Sequence, residues 1–482
     1  MTTSPSESGA ASLTAFPPSA VAASPPAARA ASGMAPRTRA MLEGAILPML
    51  LRLAAPNATV MAVQTVVGVV ETYFVGWLGA DALAGVSLAF PLLMLMQTMA
   101  GGGIGAGVSS AIARALGGCD RAKADAIVLH ALLLAVGFGV VFTLAELLGG
   151  PALFRAMGGR GEALSAATMY AAILFGGAPL FWLFNTLASI LRGAGVMVLP
   201  AAISIAGAVV TLTISPALIV GFGPVPSFGV PGAAMAMLGF YAAATVVLGA
   251  AVMSGRAVVR LRLGVRPQWA LFKEILRVGL PGAINTLFAN TAVLLLTGLV
   301  GPFGTKAIAG YGMGARLEYI QISIVWGFGS ALVTMVGTNI GAGNVARAER
   351  VAWTGTALAG CLTGGVGLLL ALEPHLWLDV FSSDADVFDA GMRYLRIVGP
   401  VYAFYGVGLA LYFASLGAGR VLWPLASGMS RLIVAAGGGM LAVHWLGGGL
   451  DSVYLAMAAG LVVMGAGTAL PILRGSWRVG RS

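Results

Sequence analysis

The stretch LRLAAPNA at residues 51–58 returns as LRVGLPGA at residues 276–283, a shift of 225 positions. The same shift lays Gly79-Ala80-Asp81-Ala82-Leu83-Ala84-Gly85 on Gly304-Thr305-Lys306-Ala307-Ile308-Ala309-Gly310. A shift of 224 lays Gly193-Ala194-Gly195 and Pro200 on Gly417-Ala418-Gly419 and Pro424. Matches that keep their order over such a distance mark an internal duplication rather than the accident of an Ala- and Gly-rich composition. One half is written twice, and a repeat in an apolar chain points first to a transporter fold.

Hydrophobic residues make up 59% of the 482 and charged residues 9%. Such a chain could not cover a water-facing surface with polar groups, so its medium is a bilayer. Crossing the hydrocarbon core takes roughly 20 helical residues. Apolar runs of that length occur six times per half: 53–78, 84–110, 124–148, 165–190, 198–221 and 231–254, then 280–301, 306–337, 350–372, 395–415, 423–446 and 452–473. The expected fold is an all-α integral membrane protein, twelve transmembrane helices in two six-helix lobes. An even number of spans returns each half to its starting side, so the repeat is parallel and its pseudo-two-fold axis runs along the membrane normal.

The expected organisation is a disordered cytoplasmic tail at 1–42, a first lobe at 43–254, a basic linker with an interfacial helix at 255–279, a second lobe at 280–475 and a tail at 476–482. Residues 41–52 are expected to play the interfacial part for the first lobe. The N-terminal tail is rich in Ala, Ser and Pro and lacks the apolar segment of a signal peptide.

The 27 Lys and Arg against 17 acidic residues invite a nucleic-acid reading until their places are considered. Arg155, Arg160, Lys306, Arg393 and Arg396 fall on one side, Arg316 and Arg431 inside spans, and all the others on the side of the termini. The opposite side takes most of the cluster Asp379, Asp384, Asp386 and Asp389. This is the positive-inside bias, which makes both termini cytoplasmic and leaves no nucleic-acid partner. Cys119 and Cys361 fall in a loop and in a span, so no disulfide is expected. His130, His375 and His444 are scattered without the spacing of a metal site. Neither a nucleophile motif nor a paired-acid constellation supports a membrane enzyme, and no cofactor or metal is implied.

Ionisable residues deep in spans are expensive in hydrocarbon and are functional candidates by default. Glu71 lies 15 residues beyond Pro56, about 22 Å along a helix. Asn57, Gln64 and Glu71 recur at intervals of seven, which stacks them on nearly one helix face and suggests a polar stripe lining a cavity. A carboxyl group that can load and release a proton is a coupling-ion site, and Glu71 is the first choice for it. Glu318 is the second, some 12 residues into the eighth span. Arg316 stands two positions before it, where neighbours on a helix point in different directions. Arg431 is expected to snorkel toward the cytoplasm.

Further motifs join these residues: VVETYFVGWLGADALAGVSLAFP (69–91), IARALGGCDRAKA (112–124), FNTLASILRGAGVMVLP (184–200), GTKAIAGYGMGARLEYI (304–320), GTNIGAGNVARAER (337–350) and YFASLGAGRVLWP (412–424). Together they resemble the multidrug and toxic compound extrusion (MATE) family of transporters over about residues 45–475. The resemblance implies a two-lobe secondary antiporter that exports organic compounds, cationic or amphipathic, by alternating access in exchange for protons or sodium ions. It also implies an acidic residue at the position of Glu71, bending of the first helix at Pro56, and an Arg-x-Glu pattern at Arg316-Leu317-Glu318.

The fifth span departs from the pattern: many relatives carry Asn residues and an Asp there, whereas this chain has Ser204, Ala208, Thr211 and Ser215. Near Ala289, where some relatives are acidic, there is only Asn290. Asn57, Gln64, Ser204, Thr211, Ser215 and Asn290 remain as cavity-lining candidates. With few anionic oxygens a sodium ion is poorly furnished, so the proton is the favoured coupling ion. The expected partners are a small organic substrate and the lipid bilayer, the expected state a monomer, and the expected place a bacterial-type inner membrane. The superfamily leaves a lipid-linked oligosaccharide flippase as the alternative, and a polytopic membrane enzyme stands behind it.

The charge bias has a direct test in intact cells. Cysteines placed at positions 258 and 345 are expected to be shielded from an impermeant thiol reagent and one at 158 to react. The opposite labelling pattern would reverse the orientation.

Overall fold

The computed structural model describes residues 34–221, 226–255, 258–262, 264–381 and 384–478. Of the tails expected at 1–42 and 476–482, residues 1–33 and 479–482 lie outside the described residues, as do 256, 257 and 263 of the expected linker. The chain is helical because hydrocarbon offers no partner to backbone N–H and C=O groups, and a helix satisfies them within one segment. The first lobe follows a short α1 (Pro36–Glu43). It contains α2 (Ile46–Gly76), α3 (Ala80–Gly117), α4 (Arg121–Ala156), α5 (Gly161–Gly176), α6 (Ala178–Gly193), α7 (Val198–Val220) and α8 (Val230–Met253). The second contains α9 (Trp269–Phe303), α10 (Thr305–Gly341), α11 (Val345–Leu372), the short α12 (His375–Leu378), α13 (Ala385–Ala418), α14 (Leu422–His444) and α15 (Leu450–Leu473). Eleven of these are long and apolar enough to cross a bilayer. The pair α5 and α6, bent by 50° at Gly177, makes the twelfth span. The fold is thus the twelve-helix, two-lobe arrangement expected from the duplication.

The repeat is visible in individual contacts. Asp120 caps α4 by accepting from the Lys123 N–H at 2.9 Å, and Asn344, 224 positions on, caps α11 by accepting from the Arg347 N–H at 3.1 Å. Such a cap contributes about 1 kcal/mol. Thr143 of α4 donates to the Phe175 carbonyl at 2.6 Å, and 224 positions on, Gly367 of α11 lies against the Gly399 carbonyl. Gly85 lies against Ala163 and Ala166, and Gly310 against Val387 and Ala390, each partner shifted by 224.

Two boundaries differ from expectation. Residues 36–42, read as part of a disordered tail, form most of α1, because Thr38 and Met41 are buried and the Met41 carbonyl accepts from Asn339 of α10. Residues 269–279, read as part of a separate interfacial helix, are the first turns of α9, which runs unbroken into the seventh span. Glu274 in this stretch is held by Lys123 at 2.8 Å and Arg114 at 3.6 Å, both from the first lobe, and these bonds keep the extension upright against α3 and α4. In the first lobe the corresponding stretch is divided instead, α1 ending at Glu43 and α2 beginning at Ile46.

We call the side on which α2 begins the near side and the other the far side. Between helices in lipid there is little hydrophobic drive, so close packing of small residues does much of the joining. Here α10 packs along α2 and the second half of α3, and α9 along α3. At the near end the approach is backbone to backbone: a Cβ on Gly117 would overlap the Thr338 carbonyl, and a Cβ on Gly341 would overlap the Arg114 carbonyl. These two contacts exchange under the 224-residue shift, as a two-fold axis between the lobes requires.

Gly117→Ala and Gly341→Ala are therefore expected to lower stability alike, each by about 1–3 kcal/mol as overpacking does. Gly68→Ala, where an added Cβ meets nothing within 4 Å, serves as the comparison. Thermal unfolding of the purified variants in one detergent checks this; equal midpoints for all three would contradict the close approach.

Candidate functional site

The hydrogen bonds and ion pairs that join the lobes gather on the near side. Ser110 donates to the carbonyls of Leu416 (2.5 Å) and Gly417 (3.0 Å). Thr334 donates to the Arg192 carbonyl at 2.9 Å, and Asn339 to the Met41 carbonyl at 3.3 Å. Arg347 donates to the Gly44 carbonyl, and Glu274 holds Arg114 and Lys123. The lobes are sealed at that end, and the membrane acids Glu71 and Glu318 lie beyond the seal, toward the far side.

The stripe Asn57, Gln64 and Glu71 does not share one environment. Asn57 is buried in the seam between lobes, where its amide donates to Ser330 of α10 at 2.5 Å and approaches the Met197 sulfur at 3.6 Å. Gln64 is exposed, and Glu71 is half-buried with its Oε1 fully enclosed and no hydrogen-bond partner among the described residues. Pro56 stands inside α2 one residue before Asn57. Helices α2 and α7 run in the same direction from the Asn57–Met197 contact, so at 1.5 Å per residue Glu71 rises about 21 Å, level with Thr211. Thr211 is buried, and Ser215 is buried with its hydroxyl unpartnered among the described residues. Ser204 donates to its own helix at the Pro200 carbonyl (2.9 Å), and Asn290 is exposed and donates to the Thr286 carbonyl at 3.0 Å. Tyr170 of α5 and Tyr241 of α8 lie within electrostatic reach of Glu71.

The second lobe holds its acid differently. Glu318 Oε1 accepts from the Tyr394 hydroxyl at 2.7 Å, and its Oε2 lies 3.5 Å from the Arg431 guanidinium. Tyr394 and Tyr402 share a 3.1 Å hydrogen bond, and Arg431 sits 5.0 Å over the Tyr405 ring. Arg431 thus does not snorkel to the surface. It is only 14% exposed because a carboxylate and an aromatic face satisfy it inside the lobe. Arg316 points away from this cluster, 5.4 Å from the Phe381 ring, so the neighbouring Arg and Glu do not pair with each other.

Two features escaped the sequence reading. The tyrosines around Glu318 look like ordinary core residues in a linear string; the available signal was that Glu318 and Arg431 are opposite charges in spans of the same half. Glu146 of α4 is buried with one carboxylate oxygen unpartnered among the described residues. It lies close to Gly150 of its own helix, and Leu144, Leu147 and Leu148 beside it are exposed. Its position two residues from the end of an apolar run made it look like a boundary residue.

Known proteins share this architecture. The MatE family model matches the chain twice, at residues 56–217 and 281–440, each match beginning at the proline of the duplicated stretch. The protein named "Probable multidrug resistance protein NorM" from Thermotoga maritima is 27% identical over 436 residues, covering 89% of this chain and 92% of that one. The FAD transporter of Shewanella oneidensis is 26% identical over 417 residues, covering 86% and 90%. A crystal structure of MATE in the bent conformation superposes with a TM-score of 0.85 at 26% identity, covering 92% of this chain and 99% of that one. A duplicated helical fold with one family match in each lobe leaves a single assignment: this chain belongs to the MatE family, whose members are membrane transporters and not enzymes.

Proposed function

We propose that this transporter exports organic compounds, amphipathic or cationic, in exchange for protons, and that Glu71 is the group that carries the proton. The observation that carries this reading is the contrast between the two acids named by sequence. Glu318 is fixed by Arg431 and Tyr394, whereas the buried Glu71 oxygen has no partner among the described residues. An ionised carboxylate left unpaired in an apolar span is costly, and taking up a proton removes that cost. A group able to exchange its proton with cavity water on one side and to move with its helix can couple the two fluxes. Thr211 and Ser215, level with or just above Glu71 on α7, supply neutral oxygens only, which suits a proton better than a sodium ion. Their hydroxyls do not titrate near neutral pH and cannot replace the carboxyl.

Alternating access supplies the cycle. Relatives have been captured in both a bent and a straight conformation, and Pro56, which removes one hydrogen bond from α2, is the proposed point of bending. With the termini in the cytoplasm of a bacterial-type plasma membrane, as the charge bias favours, the near-side contacts close the described arrangement toward the cytoplasm. The relatives named for multidrug resistance and export support an organic substrate. An anionic headgroup, as a flippase would carry, finds little welcome: Arg431 is neutralised by Glu318, and Arg316 lies over Phe381.

In proteoliposomes under an imposed pH gradient, Glu71→Gln is expected to insert normally and to lose gradient-driven dye export down to the rate of empty vesicles. Glu71→Asp is expected to retain part of the rate. Glu318→Gln is expected to act on stability instead, by about 3–5 kcal/mol, because it leaves the buried Arg431 without its counter-charge. Wild-type export by Glu71→Gln would move the proton carrier to Glu318 or Glu146, and a rate that follows a sodium gradient at constant pH would replace the proton.

A further inference from the structure

On the near side, α14 begins and α15 ends side by side, and between them lies a groove of about 300 Å³ lined by Trp423, Gly467, Leu470, Pro471, Arg474 and Ser476. Its surroundings face lipid: Leu422, Trp423, Leu470 and Leu473 are each about half exposed or more. The floor is set by Gly467, where an added Cβ would stand 2.8 Å from the Ser427 hydroxyl. The mouth is polar, with a serine and a cation. Arg478, four residues on, is chelated by Glu349 with a 2.9 Å Nε–Oε1 bond. Arg474 forms no ion pair with any described residue.

The duplication shows that this groove is not a by-product of the fold. Helices α8 and α15 each have 24 residues, and α7 and α14 each have 23, so their positions correspond one to one. The counterpart of Gly467 is Val247, that of Arg474 is Ser254 and that of Trp423 is Leu199. The first lobe therefore has a side chain where the groove floor would be and no indole at its rim. The cation nearest its mouth, Arg260, is already engaged, donating to the Ser254 carbonyl at 3.4 Å.

An apolar slot that opens at a bilayer surface beneath an unpaired guanidinium, with an indole at headgroup depth, has the polarity of a phospholipid. We propose that this groove is a binding site for one anionic phospholipid of the near-side leaflet. The phosphate accepts from Arg474 and Ser476, the indole of Trp423 lies at the glycerol level, and an acyl chain runs over Leu470 and Gly467. A zwitterionic lipid fits the same slot without the net charge that the guanidinium selects.

The test uses the full-length protein in mixed micelles containing dibrominated phosphatidylglycerol or dibrominated phosphatidylcholine. The chain has 9 tryptophans, so the Trp423 signal is taken as the difference between each protein and the same protein carrying Trp423→Phe. Half-quenching is expected at a mole fraction about fivefold lower for phosphatidylglycerol, the ratio that one arginine near an anionic surface supplies. Arg474→Gln is expected to bring the two lipids together by weakening phosphatidylglycerol alone, and Arg474→Lys to keep most of the preference. Equal quenching by both lipids in the wild-type protein, or an unchanged preference in Arg474→Gln, overturns the proposal. So does release of phosphatidylglycerol by millimolar inorganic phosphate, which would make the site one for the free anion.

Discussion

The backbone contact of Gly117 with Thr338 and of Gly341 with Arg114 is the constraint around which the molecule is arranged. Two lobes meet at their near ends at a distance that no side chain can enter, and the same contact is made twice about one axis. Close approach brings the Ser110 hydroxyl to the carbonyls of Leu416 and Gly417 and the Thr334 hydroxyl to that of Arg192. Each of these bonds replaces water that the backbone would otherwise need. Closure at the near end is thus held by four residues whose backbones meet there.

Backbone symmetry is not matched by symmetry of charge. The 225-residue shift sends Glu71 to Leu296 and Glu318 to Leu93, and the 224-residue shift sends Arg431 to Gly207. Each lobe has kept one membrane carboxylate in the pair considered for coupling, at unrelated positions and with opposite circumstances. In the second lobe an arginine and a shell of tyrosines fix the acid in place. In the first, the acid belongs to a helix interrupted by Pro56 and bound to the other lobe through Asn57. Rigid anchoring on one side and an unfixed group on the other is a division of labour that duplication permits, because one copy can hold the scaffold while its twin changes.

The fold was legible because duplication and hydrocarbon thickness are both written linearly. The echo at 51–58 and 276–283 set the lobes, and span length set the helices; even the bent pair around Gly177 fell inside the single run 165–190. The site was less legible, for a reason that Asn57 makes plain. A seven-residue period says which side chains share a helix face and nothing about what covers that face. Ser330 and Met197 cover Asn57, while Gln64 is exposed. Arg431 was misjudged for the same reason: its depth is readable from the chain, but its partner is on another helix, 113 positions earlier.

Glu274 binds Arg114 at the end of α3 and Lys123 at the start of α4 with one carboxylate. Both cations belong to the same lobe and flank a tight turn, so they cannot be detached one after the other by a gradual tilt. Withdrawing that lobe strips two charges from Glu274 together, which gives the near-side closure the character of a latch with a threshold rather than a spring. All three side chains are partly exposed, and mobile ions screen such contacts. The strength of this contact between the lobes is thereby tied to the ionic strength of the solution that bathes the near side.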